Sequence, residues 1–109
     1  MICGNCADTA KAKIQAAAAD FWGKVQAVYV PDDRAIIKEA LYTMQGLIGT
    51  KKPFDFPDLA EKYRATVAGF WNQAVAAYAF CRADQRGIVM AHISRTLDRL
   101  VDLLEQEDA

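Results

Sequence analysis

The amino-acid sequence predicts an all-helical fold, a four-helix bundle made of two repeated helical hairpins in up-down-up-down order. Three observations predict it. Apolar residues recur at helical spacing along most of the chain, capping and breaking residues separate four helical stretches, and the second half repeats the first. The 109 residues fit one helical-bundle domain, 1–109, with hairpin repeats over about 6–49 and 55–106.

Each predicted helix carries an apolar stripe whose members follow one another in steps of three or four residues. In chain order the stripes are Ile14, Ala18, Phe21, Val25 and Val28; Ile37, Leu41, Met44 and Ile48; Tyr63, Val67, Phe70, Ala74 and Ala77; and Val89, Ile93, Leu97, Leu100 and Leu104. Such steps place a set on the face of a helix that turns towards a core. No segment shows the two-residue alternation of a strand.

Breakers and caps set the boundaries of the first two helices. Pro31 ends a first helix over about 6–30. Either of the next two aspartates can cap a second helix, which runs to about residue 48. Gly49 then supplies the left-handed residue that stops it.

The third helix is predicted to begin at about residue 56. Asp55 is its expected N-cap, Pro57 lies in its first turn, and Phe54 is expected to staple onto Leu59. Its end is less defined, because Asp84 can cap a fourth helix but no proline forces a break. Two alternatives stay open: separate third and fourth helices, or one long bent helix over 56–105.

The internal repeat is the most informative pattern in the sequence. A Phe-Trp pair with a Tyr seven residues after the Trp occurs at 21–29 and again at 70–78, an offset of 49 residues. At an offset of 52, Arg-Ala-Ile-Ile at 34–37 falls on Arg-Gly-Ile-Val at 86–89. One hairpin cannot bury its apolar face alone, so two copies about a pseudo-twofold axis predict the bundle.

Composition and charge exclude several classes of protein. The formal net charge of −1 argues against a general nucleic-acid binder and an acidic DNA mimic, because both carry a large charge imbalance. No apolar run reaches the ~20 residues that span a membrane, and no secretory signal begins the chain. The three cysteines, an odd number, do not form a disulfide framework. Together these features predict a cytoplasmic protein.

Cys3 and Cys6 form a Cys-x-x-Cys pair directly before the first helix. They are interpreted as unreactive terminal residues, as a redox pair with a lowered pKa at Cys6, or as half of a zinc site. The remaining soft ligands, Cys81 and His92, are predicted at the opposite end of the bundle, ~30 Å away. A zinc site would therefore need two chains that pool their pairs across a dimer axis. Otherwise, Cys81 is expected to be buried and His92 to be structural.

Five aromatic residues are the predicted partner-binding set. Trp22 and Tyr29 lie on one face of the first helix, Trp71 and Tyr78 repeat them on the third, and Phe56 lies in the loop between the hairpins. The Trp and Tyr residues either fill the flanks of the bundle or form a surface for a partner or for self-association, because Trp and Tyr often anchor interfaces. Phe56 either folds onto the end of the bundle or contacts a partner.

The sequence holds no phosphate-binding glycine loop, metalloprotease motif or nucleophile elbow. We therefore predict a non-enzymatic protein without a cofactor that binds a protein partner as an inhibitor, adaptor or small assembly subunit. Homo-oligomers fit this prediction, whereas nucleic-acid and membrane partners do not. The alternative is a zinc-linked or thiol-active homodimer that uses Cys3 and Cys6. A third option is a small-molecule pocket between the hairpins.

Overall fold

The computed structural model describes residues 6–50 and 52–107. Within these ranges the chain has four helices and no strand, which confirms the predicted all-helical class. Single 3-10 turns at Pro31–Asp33 and Ala83–Gln85 precede the second and fourth helices. The four helices are α1 (Cys6–Val28), α2 (Arg34–Leu47), α3 (Glu61–Ala79) and α4 (Arg86–Glu107). None of these described helices combines the length and the hydropathy needed to cross a membrane.

The apolar stripes form the core. All but three of their residues are buried; Ala18 and Ile48 are half-buried, and Val28 is exposed at the end of α1. Among the described residues no polar or charged residue is buried. The helical spacing therefore predicted most of its stripe residues correctly, although the core also includes residues outside the stripes, among them Trp71, Tyr78 and Phe56.

The packing of α1 against α3 is antiparallel. Near the middle of both helices the Phe21 ring stacks on the Phe70 ring, with centroids 5.1 Å apart. Near the end of α1, the Tyr63 hydroxyl lies 3.5 Å from the carbonyl oxygen of Val28. The C-terminal end of α3 therefore lies beside the N-terminal end of α1.

The other two helices take opposite directions along the same axis. A tight connection turns α4 back beside α1, where the amide of Ala7 donates a 2.8 Å hydrogen bond to Gln85 Oε1 just before α4. Helix α2 runs antiparallel to α4. Near the start of α2, Lys38 Nζ pairs with Glu105 at 2.6 Å, and about two turns further along α2 the Gln45 side-chain amide donates a 3.0 Å hydrogen bond to Asp98, which lies earlier in α4. Helices α1 and α4 thus point one way, and α2 and α3 point the other.

The predicted up-down-up-down order is therefore wrong, and the order is up-down-down-up. The connection 48–60 runs back along the molecule instead of turning directly into α3. Trp71 Nε1 donates a 3.1 Å hydrogen bond to the carbonyl of Lys52, midway along this path. The 14 residues of α2 span about 20 Å, a distance that about six extended residues cover.

The boundaries of the later helices also differ from the predicted ones. Helix α3 begins at Glu61 instead of about residue 56, because Phe56 has a φ of 50° that no right-handed helix accepts. Residues 57–59 instead form a turn in which the Leu59 amide bonds the Phe56 carbonyl at 3.1 Å. The single long helix is likewise wrong, since α3 ends at Ala79.

Candidate binding groove

A groove of about 770 Å³ lies between α1 and α4. Gln15, Ala18, Ala19 and Trp22 line one wall, and α4 residues between His92 and Leu103 line the other. The two alanines have no side chain beyond Cβ, so little side-chain volume fills this part of the groove. Because Trp22 is seven residues from Gln15, both lie on the same face of α1.

His92 lies on the α4 wall with its Nε2 atom buried and without a hydrogen-bond partner. Burial of the ring, with smaller contributions from Arg95 and Lys11, holds the pKa of His92 below its usual value. The ring is therefore neutral at pH 7. An unpartnered buried polar atom costs about 1–3 kcal/mol, so this wall holds a polar atom whose hydrogen bonding is incomplete.

Charged side chains border the groove on its α4 side. Arg95 and Arg99 lie one turn apart and both are exposed, while Asp98 and Asp102 also line the wall. The groove thus combines an aromatic ring, small apolar residues and a mixed-charge rim. This set of residue types is found at interfaces where an aromatic or arginine side chain anchors a partner.

The five predicted partner-binding residues divide into two groups. Trp22 and Tyr29 are half-buried, whereas Trp71, Tyr78 and Phe56 are only 2%, 7% and 5% exposed. The three buried residues therefore cannot serve as a docking surface in this fold. The contact with a partner that was predicted for Trp22 and Tyr29 stays a prediction.

The burial of Trp71 and Tyr78 has an identifiable cause in each case. The connection 48–60 covers Trp71, whose indole nitrogen bonds the Lys52 carbonyl. The Arg86 guanidinium lies over the Tyr78 ring, 5.9 Å from its centroid. The connection 48–60 leads into α3, and Arg86 begins α4 shortly after α3 ends, so the positions of both depend on the direction of α3.

The cysteines lie closer together than expected. Cys6 and Cys81 line the same small cavity of about 130 Å³, because the end of α3 lies beside the start of α1. The expectation that they lie at opposite ends of the molecule is therefore wrong. Cys6 is disulfide-bonded. Cys81 is a free thiol and is buried, as predicted. Cys3, the other residue of the predicted metal pair, lies outside the described residues.

The described residues contain no cluster of metal ligands, and no similar protein indicates a site. Within residues 6–50 and 52–107 no three His, Cys, Asp or Glu side chains cluster closely enough to hold a metal ion. No family model, curated protein or solved structure matches this chain.

The sequence carries a signal for this groove that is not a catalytic or metal-binding motif. At the offset of 49 residues Ala18 aligns with Val67, and at the offset of 52 residues Arg99 aligns with Leu47. Ala18 is smaller than Val67 and Arg99 is more polar than Leu47, which indicates that the face with Ala18 and Arg99 is less covered by other parts of the chain.

Proposed function

We propose that this protein is a non-enzymatic helical protein that binds a protein partner through the groove between α1 and α4. The observation that carries the proposal is the half-buried Trp22 beside a floor of alanines, with Arg95 and Arg99 on the rim. Tryptophan and arginine are the residue types that most often dominate the binding energy of an interface. An inhibitor, an adaptor and a small assembly subunit would all use such a surface.

We further propose that the fold is a four-helix bundle that arose from a duplicated hairpin. A twofold axis perpendicular to the helices that exchanged the hairpins would make α1 antiparallel to α3 and α2 antiparallel to α4, and both pairs are antiparallel. Phe21 and Phe70, which are equivalent in the repeat, contact each other, as residues near such an axis must. The turns before α2 and α4 also agree: Val30 and Arg82 are both extended, with ψ of 153° and 147°, and each precedes a 3-10 turn.

The partner hypothesis can be tested with two arginine substitutions on one helix. Ala19 and Ala16 are both exposed on α1, but only Ala19 lines the groove. We expect Ala19→Arg to abolish capture of the partner from the cells that make the protein, and Ala16→Arg to leave it intact. Quantitative mass spectrometry measures the capture, and circular dichroism checks that helicity is equal in the two variants.

Two results would contradict the proposal. One is a partner that Ala19→Arg retains as well as the unmodified protein does. The other is equal loss in both variants, which would place the contact elsewhere on α1. A change in molar mass by light scattering would separate self-association from binding of another protein.

The alternative, a zinc-linked or thiol-active homodimer that uses Cys3 and Cys6, has less support. Zinc binds cysteine as the thiolate, and a disulfide-bonded Cys6 offers none. If two chains nevertheless shared a four-sulfur site, purified protein would hold about half a zinc per chain. Zinc and dimer would then disappear together in Cys6→Ser, whereas Cys81→Ser, the matched control, would change neither.

A further inference from the structure

We infer that two copies of the chain form an antiparallel dimer through the outer face of α1 and α3, with Phe80 of each copy docked on α3 of the other. This face lies on the side of α1 opposite the groove between α1 and α4. A partner in that groove and a second copy on this face therefore use different residues. Three features indicate a second copy: the exposure of Phe80, the open groove beside it, and the charges on the groove.

Phe80 is the most exposed large apolar residue in the part of the chain that the structure describes, with 87% of its surface in water. Its backbone is fixed, because the Phe80 amide bonds the Ala76 carbonyl at 3.1 Å and the Cys81 amide bonds the Tyr78 carbonyl at 3.2 Å. Tyr78 and Cys81 are both buried and occupy the nearby core. The ring is thus presented outward on a held turn, as an aromatic residue is at an interface.

Beside Phe80 lies a groove of about 550 Å³ between α1 and α3. Its apolar lining consists mainly of small residues from both helices, Ala16 and Ala17 of α1 and Ala76 and Ala77 of α3. On the same face of α3, Gly69 and Gln73 precede Phe80 by eleven and seven residues. A Cβ added at Gly69 would meet nothing within 4 Å, so this turn of α3 has room for a ring.

The charged residues of the groove are one lysine and one aspartate, placed symmetrically about the alanines of α1. Lys13 lies three residues before Ala16, and Asp20 lies three residues after Ala17. Both charged side chains are exposed. Asp20 also pairs with Lys24 at 3.0 Å, but a carboxylate has acceptor sites for a second cation. The midpoint between the two charges therefore coincides with the midpoint between the two alanines.

This symmetry selects one of two ways to place the face against its copy. The twofold axis of such a dimer lies in the plane of the interface, either along the helices or across them. An axis along the helices would gather both Lys13 side chains at one end of the interface and both Asp20 side chains at the other, where like charges repel. An axis across the helices, between Ala16 and Ala17, sets Lys13 of each copy against Asp20 of the other. The charges therefore favour the antiparallel arrangement.

The same axis gives Phe80 a place to dock. Because α1 and α3 are antiparallel, the groove runs from Lys13 and Phe80 at one end to Asp20 and Gln73 at the other. Exchanging the two ends places each Phe80 over the turn of α3 that contains Gly69 and Gln73 in the second copy. The missing side chain of Gly69 leaves space for the ring there, and the alanines of both copies meet between the two rings.

The direct test is the molar mass of the intact protein, measured by light scattering over a range of concentrations. We expect a dimer with twice the 12.0 kDa of one chain. Phe80→Ser should raise the dissociation constant at least about a hundred-fold, because each dimer loses the burial of two rings. Ala16→Arg, which places a long charged side chain at the centre of the interface, should give a monomer. Ile88→Ser, at another exposed apolar residue, and Ala19→Arg, in the other groove, are the controls and should leave the dimer intact.

Charge reversal tests the antiparallel arrangement separately from the apolar contacts. Lys13→Glu and Asp20→Lys should each weaken the dimer about ten-fold, since two pairs in every dimer change from attraction to repulsion. The double variant Lys13→Glu/Asp20→Lys restores opposite charges across the interface and should recover most of the lost affinity. Circular dichroism checks that every variant keeps the helicity of the unmodified protein.

Several results would overturn the inference. A protein that stays monomeric up to about 1 mM would do so, as would a dimer that survives Phe80→Ser or Ala16→Arg. A dimer that Ala19→Arg dissociates would place the second copy in the groove between α1 and α4 instead. Single reversals that weaken the dimer without recovery in the double variant would contradict the antiparallel pairing. The proposed function is judged separately, because capture of a partner depends on Ala19 and dimerisation on Ala16.

Discussion

Asp33 occupies the N-cap position of α2, but its carboxylate does not cap that helix. It accepts hydrogen bonds from the Tyr63 hydroxyl and from the Lys62 ammonium, both on α3. The hydrogen bond from Lys62, followed by that from Tyr63, lowers the pKa of Asp33. Asp33 therefore stabilises the fold above the pKa of the unfolded chain, and this contribution is lost as the pH falls through the lowered pKa.

We expect Asp33→Asn to lower the free energy of unfolding at pH 7, because the charge-assisted bonds to Lys62 and Tyr63 are lost. The difference from the unmodified protein should shrink below about pH 4, where the native carboxylate also becomes protonated. Urea unfolding at several pH values measures it. Asp32→Asn, at an exposed neighbouring position, is the matched control and should leave the free energy of unfolding at pH 7 nearly unchanged. A deficit of Asp33→Asn that is as large at pH 2 as at pH 7 would contradict this account.

Phe56 combines a buried ring with a left-handed backbone, and the two features oppose each other. Replacing the ring by alanine should cost about 3 kcal/mol of stability through lost packing. Glycine removes the same ring but relieves a backbone strain of about 1 kcal/mol at φ of 50°. We therefore expect Phe56→Gly to be more stable than Phe56→Ala in thermal unfolding, the reverse of the order found in a helix. Equal stability of the two variants would show that the backbone is unstrained.

At the scale of the helix, two glycines near the end of α2 provide a matched pair of tests. Ile48 already leaves the helix with a ψ of 130°, and Gly49 follows with a φ of 93° in the turn that the Thr50 amide closes onto the Leu47 carbonyl, so Gly49→Ala should destabilise the protein by about 1 kcal/mol. Gly46 lies inside α2, where an added Cβ meets nothing, so Gly46→Ala should stabilise it by about 0.5–1 kcal/mol. Chemical denaturation measures both. Changes of the same sign would contradict the assigned end of α2.

The helices and their buried faces could be predicted from the sequence, because helical periodicity and chain breakers are local. The direction of α3 could not, since it depends on the path of the connection 48–60. Asp55 and Pro57 have the residue types of a helix start, but they lie in the extended segment and the turn before α3. The positive φ of Phe56 has no local sequence signal, so the prediction placed the start of α3 too early.

The groove depended on the same connection. The repeated pattern in the sequence predicts Trp22 and Trp71 as equivalent members of one surface. They differ only because the connection covers Trp71 and leaves Trp22 half-exposed. A long-range contact of this kind cannot be deduced from the pattern of a single helix, although the replacement of Val67 by Ala18 in the repeat was visible.

At the scale of the whole molecule, the helices of the first hairpin pack more on the second hairpin than on each other. Helix α1 packs mainly on α3 and α4, and α2 packs mainly on α4, so neither helix of the first hairpin finds its main partner within that hairpin. The Phe21–Phe70 stack at the centre likewise joins the two halves. A hairpin on its own would leave these apolar faces in water, which no intrinsic helix propensity offsets.

We therefore expect fragments 1–49 and 50–109 to be largely unfolded when separate and to regain helicity when mixed. Circular dichroism of each fragment, of an equimolar mixture and of the intact chain provides the measurement. A mixture of 1–49 with a 50–109 fragment carrying Phe70→Asp is the control, since a buried charge in place of the stacked ring should prevent the association. Cooperative unfolding of monomeric 1–49 alone would show instead that one hairpin holds a core of its own. The packing of α1 on α3 would then stabilise the fold without being required for it.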